Sequence, residues 1–147
     1  GQDGAAAFGG LYNRDDASFE VNPDEVLALT FSDLMPNLEL YYDDHHSVVT
    51  QSAGIYELEY QLRAESLECG KLRIAITNDG RIVPSSLIAQ PIACRDPFTI
   101  AGKAITEAEA GAHLHFVLFS SEHAKFKLQD GVNAYLVVKK LADLPQE

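Results

Sequence analysis

His113 and His115 are the residues of this chain best placed to do chemistry. They stand two apart around the apolar run Leu114–Phe119, so a strand would carry both imidazoles on one face, where they could converge on one metal ion. A metalloenzyme built on such a pair also needs a carboxylate a few residues on and a further His on a partner strand. Glu122 and His123 fall beyond the end of the run, and no Gly-rich frame surrounds the pair. Polar positions facing solvent or a subunit interface are the preferred reading. Asp43-Asp44-His45-His46 offers oxygens and nitrogens in a single turn, whereas calcium takes several oxygens spaced along a loop. That turn reads as solvated, as do Asp15-Asp16 and Asp24-Glu25. Glu57 and Glu59 share the polar face of a strand rather than a pocket. There is no G-x-S-x-G elbow for a serine nucleophile and no Gly-rich loop opening a helix for phosphate. Nothing assembles an active site, so neither an enzyme nor a cofactor is expected.

The elements around these residues are strands. Tyr56, Leu58, Tyr60 and Leu62 alternate with Glu57, Glu59 and Gln61, which makes one face apolar and the other acidic. Such a strand is stable only when other strands cover its apolar face, so a layered antiparallel all-β domain follows. Lys71 to Thr77 alternates as cleanly, and Asp79-Gly80 behind it is a hairpin signal because Gly tolerates positive φ. The return through Ile82-Val83 and Leu87–Ala89 carries Pro84 and Pro91, which cannot donate to a ladder, and is placed at an edge. Further strands are expected at Ala5–Tyr12, Val26–Phe31, Leu38–Tyr42, Phe98–Ile105, Leu114–Phe119 with both faces buried, and Asn133–Leu141. Asn13 to Asn22 reads as a polar connection. Eight to ten short strands with no convincing helix point to a sandwich or jelly roll.

A chain of 147 residues is one ordinary domain, and 46% hydrophobic residues with seven Phe and six Tyr can build its core. The formal charge of −11 repels nucleic acid and anionic lipid, and the eleven Lys and Arg are scattered, so no nucleic-acid partner is expected. No apolar run reaches the roughly 18 residues of a membrane span, and the opening on Gly1 reads as a piece of a longer protein. Cys69 and Cys94 are read first as two buried thiols acting as small hydrophobes, with a disulfide between them as the alternative.

The order of segments resembles a known family. Ser52-Ala53-Gly54-Ile55-Tyr56 is similar to the S-x-x-G-x-Y strand start of the globular heads that cap collagen-like stalks. The Tyr-Leu-Val-Val-Lys-Lys-Leu ending of Val132–Leu141 is similar to their last strand. Leu72–Pro84, with Asn78-Asp79-Gly80 and Val83-Pro84, looks like the hairpin of the bacterial branch. The resemblance is to the C-terminal head of BclA-type collagen-like glycoproteins of the exosporium, within the complement-head and tumour-necrosis-factor (TNF) superfamily. It covers roughly residues 48 to 141.

The resemblance implies a ten-stranded jelly roll over residues 5–142 assembled as a homotrimer, with 143–147 as a tail and 1–4 as the end of an upstream Gly-X-Y stalk or a remnant. It implies a non-enzymatic head that drives stalk trimerisation and display or adhesion on a cell or spore surface. Tyr56, Tyr60, Phe98, Ile100, Leu114, Phe116, Leu118, Tyr135 and Val137 are the candidates for mixed core and trimer interface. The rivals are the receptor-binding tip of a phage or cell-surface fibre, and a cupin-like metalloprotein using His113 and His115.

Overall fold

The structure is a computed structural model and describes residues 6–145. The Gly1–Gly4 segment read as a stalk end lies outside them. The chain begins with β1 (Phe8–Asn13), β2 (Ser18–Val21), β3 (Val26–Ala28), β4 (Asp33–Leu34), β5 (Leu40–Asp43), β6 (Ser47–Thr50) and β7 (Gly54–Ser66). It continues with β8 (Gly70–Asn78), β9 (Arg81–Ile82), a 3-10 turn at Pro84–Ser86, β10 (Ile88–Ile92), β11 (Pro97–Ala108), β12 (His113–Phe119), β13 (Ala124–Leu128) and β14 (Ala134–Asp143). Fourteen strand segments thus replace the ten expected, and every named pairing is antiparallel.

Two seven-stranded sheets face each other. The first runs β2-β13-β7-β14-β1-β4 with β11 on the free side of β7; the second runs β10-β8-β12-β6-β5 with β3 and β9 attached to β12 and β8. The 13-residue β7 organises the first sheet. One of its edges pairs with β11 along its whole length, and the other is shared by β14 and β13.

The alternation read in the sequence extends along all of β7. Tyr56, Leu58, Tyr60, Leu62 and Ala64 are buried, and the residues between them are half-exposed. Across the sandwich they meet Leu72, Ile74 and Ile76 of β8 and Leu114, Phe116 and Leu118 of β12 in one core. The Tyr60 and Phe116 rings pack edge to face with centroids 5.7 Å apart. Full burial of each such side chain contributes about 1.5–3 kcal/mol, which is what holds the two layers together.

Asp79 and Gly80 both take positive φ, 50° and 84°, so the hairpin joining β8 and β9 closes as a type I′ turn matching strand twist. Pro91 sits in β10, an edge strand whose ladder can spare one donor. Three readings are corrected. The Asn13–Asn22 connection contains β2, whose phase puts Val21 in the core and Glu20 outside. Strand β13 had no counterpart in the sequence reading. Strand β12 is not buried on both faces: Leu114, Phe116 and Leu118 point inward, while His113 and His115 are half-exposed on the outer face, although Val117 is covered.

Cys69 and Cys94 form a disulfide and lie at the surface, which corrects the reading as buried thiols. Cys69 lies between β7 and β8, and Cys94 between β10 and β11. Both connections carry the chain from one sheet to the other, so the bridge staples two crossovers side by side.

Gly102 marks a second constraint. The Tyr60 ring lies across it, so that a Cβ there would come within 2.6 Å of two ring carbons and the hydroxyl oxygen. The ring cannot swing away, because it is 1% exposed and its hydroxyl donates to the Ser86 carbonyl at 2.6 Å. Gly102→Ala is therefore expected to lower stability by about 1–3 kcal/mol, read as a shifted denaturant midpoint at unchanged slope. An unshifted midpoint would mean that the ring has room to move.

Candidate assembly interface

Residues directly opposite one another in antiparallel strands share a face, so the registers lay out the outer face of the first sheet as rows. Tyr12, Tyr135, Gln61 and Ala101 form one row across β1, β14, β7 and β11. Gly10, Val137, Glu59 and Lys103 form the next, and Phe8, Lys139, Glu57 and Ile105 the third. Ile105 is 58% exposed, Leu141 46% and Phe8 41%. The face thus carries aromatic rings at one end, uncovered aliphatic and aromatic side chains at the other, and a charged band between.

The band is internally paired. Lys103 Nζ lies 3.1 Å from Glu57 Oε1 and 3.6 Å from Glu59 Oε1. The hydrogen bond and charge of Glu57, with the charge of Glu59, raise the Lys103 pKa and keep it an ammonium. Burial, aided by the negative charge of Glu59, raises the Tyr135 phenol above its ordinary value.

Among the described residues, no strand pairs with the outer edge of β11. That leaves the outer edge of this twelve-residue strand without a strand partner, its Glu107 carbonyl accepting from the Asn78 amide at 3.3 Å and Lys103 as its one cation. Natural sheets blunt such edges or cover them.

The sequence-derived candidates divide between the two sides of this sheet and the core. Tyr56, Tyr60, Ile100, Leu114, Phe116 and Leu118 are buried within the protomer, and Phe98 packs partly buried against the same core. Tyr56 and Tyr60 therefore contribute no aromatic patch to an outer surface. Tyr135 and Val137 are half-buried on the outer face. Sequence reasoning did not single out Phe8, Tyr12 or Leu141, and it reached Lys103 and Ile105 only as part of the Phe98–Ile105 strand. The alternation of β11, with Ile105 out of phase with buried Ile100 and Ala104, was the available signal.

The Ser52-x-Gly54-x-Tyr56 pattern has a mechanical meaning. Lys140 stands in phase with buried Leu136 and Val138, and its side chain is only 4% exposed. Its Nζ donates to Ser52 Oγ at 3.0 Å and pairs with Asp143, while the Tyr56 hydroxyl donates to the Ser52 carbonyl at 2.7 Å. A Cβ at residue 54 would meet Lys140 Cε at 2.7 Å, so Gly54 gives the lysine stem its passage. The Ser, the Gly, the Tyr and the terminal-strand Lys thus plug one end of the sandwich together.

The two metal candidates stand side by side on β12, next to the turn after β5. Strand β12 brings His113 beside the Asp43–His46 turn, with His113 Nδ1 3.5 Å from Asp43 Oδ2 and 3.3 Å from Ser47 Oγ. The His113 and His115 rings stack 17° from parallel with centroids 6.4 Å apart, instead of tilting toward a common point. Burial, and then the neighbouring His113, lower the His115 pKa and favour its neutral form. Among the described residues no three His, Cys, Asp or Glu side chains are grouped to hold an ion.

No family model and no curated protein matches the chain. Solved structures do. Eiger TNF from S. frugiperda superposes with a TM-score of 0.68 at 16% identity, over 97% of each chain. Murine APRIL superposes with a TM-score of 0.63 at 13% identity, over 92% of this chain and 99% of that one. Among the described residues no helix is long and apolar enough to cross a membrane. With its two facing antiparallel sheets and near-complete overlap with both structures, the chain has the TNF-like jelly-roll fold.

Proposed function

We propose that this domain is a non-enzymatic, homotrimeric recognition and display head working outside the cell. The observation that carries the proposal is the pairing of an open edge with an open face in the same sheet: β11 is unpaired along its outer edge, and the adjoining outer face exposes Phe8, Ile105 and Leu141. Edge against face is a heterologous contact, which uses two different patches and gives a ring, rather than a two-fold dimer, when the rotation between copies closes. In that arrangement the β11 edge of one copy lies over the β1 and β14 face of the next. Tyr12, Tyr135 and Val137 of the receiving copy supply the aromatic and aliphatic surface that obligate interfaces favour. Three copies are what the resemblance to TNF-like heads implies. The surface disulfide suits an oxidising, extracellular setting.

Within this reading the finer role is that of the C-terminal head of a bacterial collagen-like surface protein. Its support is the Ser52–Tyr56 pattern, the Leu72–Pro84 hairpin and the Gly spacing at Gly1 and Gly4. A TNF-type ligand for a receptor is the second reading, favoured by the two fold matches. Gly-X-Y repeats in the gene upstream of Gly1 decide for the first, and their absence sinks it.

The test of assembly is light scattering at low micromolar concentration. A mass three times the 16.1 kDa chain is expected. A mass of 16.1 kDa would overturn the trimer.

A further inference from the structure

We propose that Glu20, His123 and Glu68 form a proton-operated clasp that holds β2 as a releasable strap on the edge of β13. His123 lies in the connection between β12 and β13. Its Nε2 is 2.5 Å from Glu20 Oε1 on β2, and its Nδ1 is 2.9 Å from Glu68 Oε2 on the connection between β7 and β8. A neutral imidazole has one N–H and can donate to only one of two carboxylates. Two such contacts call for the imidazolium, which donates from both nitrogens. The proton is thus the piece that joins three segments far apart in sequence.

The strap has little else to hold it. β2 pairs only with β13 among the described strands. Its apolar attachments are Val21, fully buried, and Phe19, whose ring lies 5.7 Å from that of Phe126. Glu68 is fixed by its neighbour Cys69, which the disulfide anchors. The other charged groups around the clasp are Lys125 of β13, whose charge acts on Glu20, and Lys71 of β8, which lines the same recess as Glu68. Glu122 precedes His123 in its own connection.

Hydrogen bonds to Glu20 and then Glu68 raise the His123 pKa, and the bond to His123 lowers that of Glu20. The raised histidine stabilises the fold fully below its unfolded value of about 6.5, and this contribution is lost as pH rises through the folded value. The lowered carboxylate contributes above its unfolded value and is lost as pH falls through the folded one. The clasp is therefore closed across a window that includes about pH 6.5 and opens on either side. On the alkaline side Glu20 and Glu68 are left facing a neutral ring, and β2 lifts, baring the β13 edge and Phe19.

The experiment is an NMR titration of His123 alongside amide exchange of β2 and β13, corrected for intrinsic rates. His123 is expected to titrate above about 6.5, and each unit of elevation predicts a tenfold loss of β2 protection on deprotonation. In Glu20→Gln and Glu68→Gln the elevation shrinks and the loss of protection shrinks with it, while β8 and β12 amides stay unchanged across the range. A His123 pKa at or below 6.5, β2 protection indifferent to the titration, or parallel loss in β8 and β12 overturns the proposal. None of these readouts depends on the trimer.

Discussion

Ile105→Asp is expected to convert the assembly from three times the chain mass to 16.1 kDa while leaving each protomer folded. Ile105 is 58% exposed on β11, so the protomer loses almost no core packing when it changes. In the proposed ring the same side chain is covered by a neighbouring copy. A carboxylate there would be desolvated against the apolar side chains of the next copy, at a cost of several kcal/mol in each of three interfaces. At 1.4 kcal/mol per factor of ten, that moves the dissociation range by orders of magnitude. Two controls locate the effect. Ile105→Val should remain a trimer, and so should Val26→Asp, because Val26, 60% exposed, sits on β3 in the opposite sheet. A trimeric Ile105→Asp, or a monomeric Val26→Asp, would show that copies meet through another surface.

Loss of the disulfide is the second large effect. Cys69 and Cys94 are 25 residues apart, and closing a loop of that size stabilises by about 3.5 kcal/mol in the chain-entropy model. The double variant Cys69→Ser, Cys94→Ser is expected to melt roughly 10 °C lower, given about 2–4 °C per kcal/mol for a domain of this length. The variant and the unmodified protein must be compared at one protein concentration, because assembly couples stability to concentration. Since both cysteines lie at the surface, a reductant should reproduce the shift in the unmodified protein. An unchanged melting temperature would mean that the two crossovers hold their places without the staple.

Local rules account for what was legible. Period-two alternation made β7 and β8 readable, because a strand with one buried face must repeat every second residue. Asp79-Gly80 was readable because few residue pairs accept two positive φ angles in succession. Strands β2 and β13 were missed for the same reason in reverse. Ser18–Val21 and Ala124–Leu128 are four and five residues long and half polar, too short for a period to stand out. Phe98 and Val137 could be called apolar, but not core or surface, since that depends on which sheet face each strand turns inward.

The sequence by itself determined that this is an all-β sandwich, that the Tyr56–Leu62 and Leu72–Ile76 alternations each turn one apolar face inward, and where the sharpest hairpin turns. These follow from patterns a few residues long. The tertiary structure decided that Cys69 meets Cys94, that β11 ends as an open edge beside an uncovered face, that Lys140 threads past Gly54 to Ser52, and that His123 bridges Glu20 and Glu68. Each of these joins groups far apart along the chain, up to the 103 residues between Glu20 and His123. Such contacts are set by the order in which strands pair and by the face each presents, and strand order leaves no local periodicity to read.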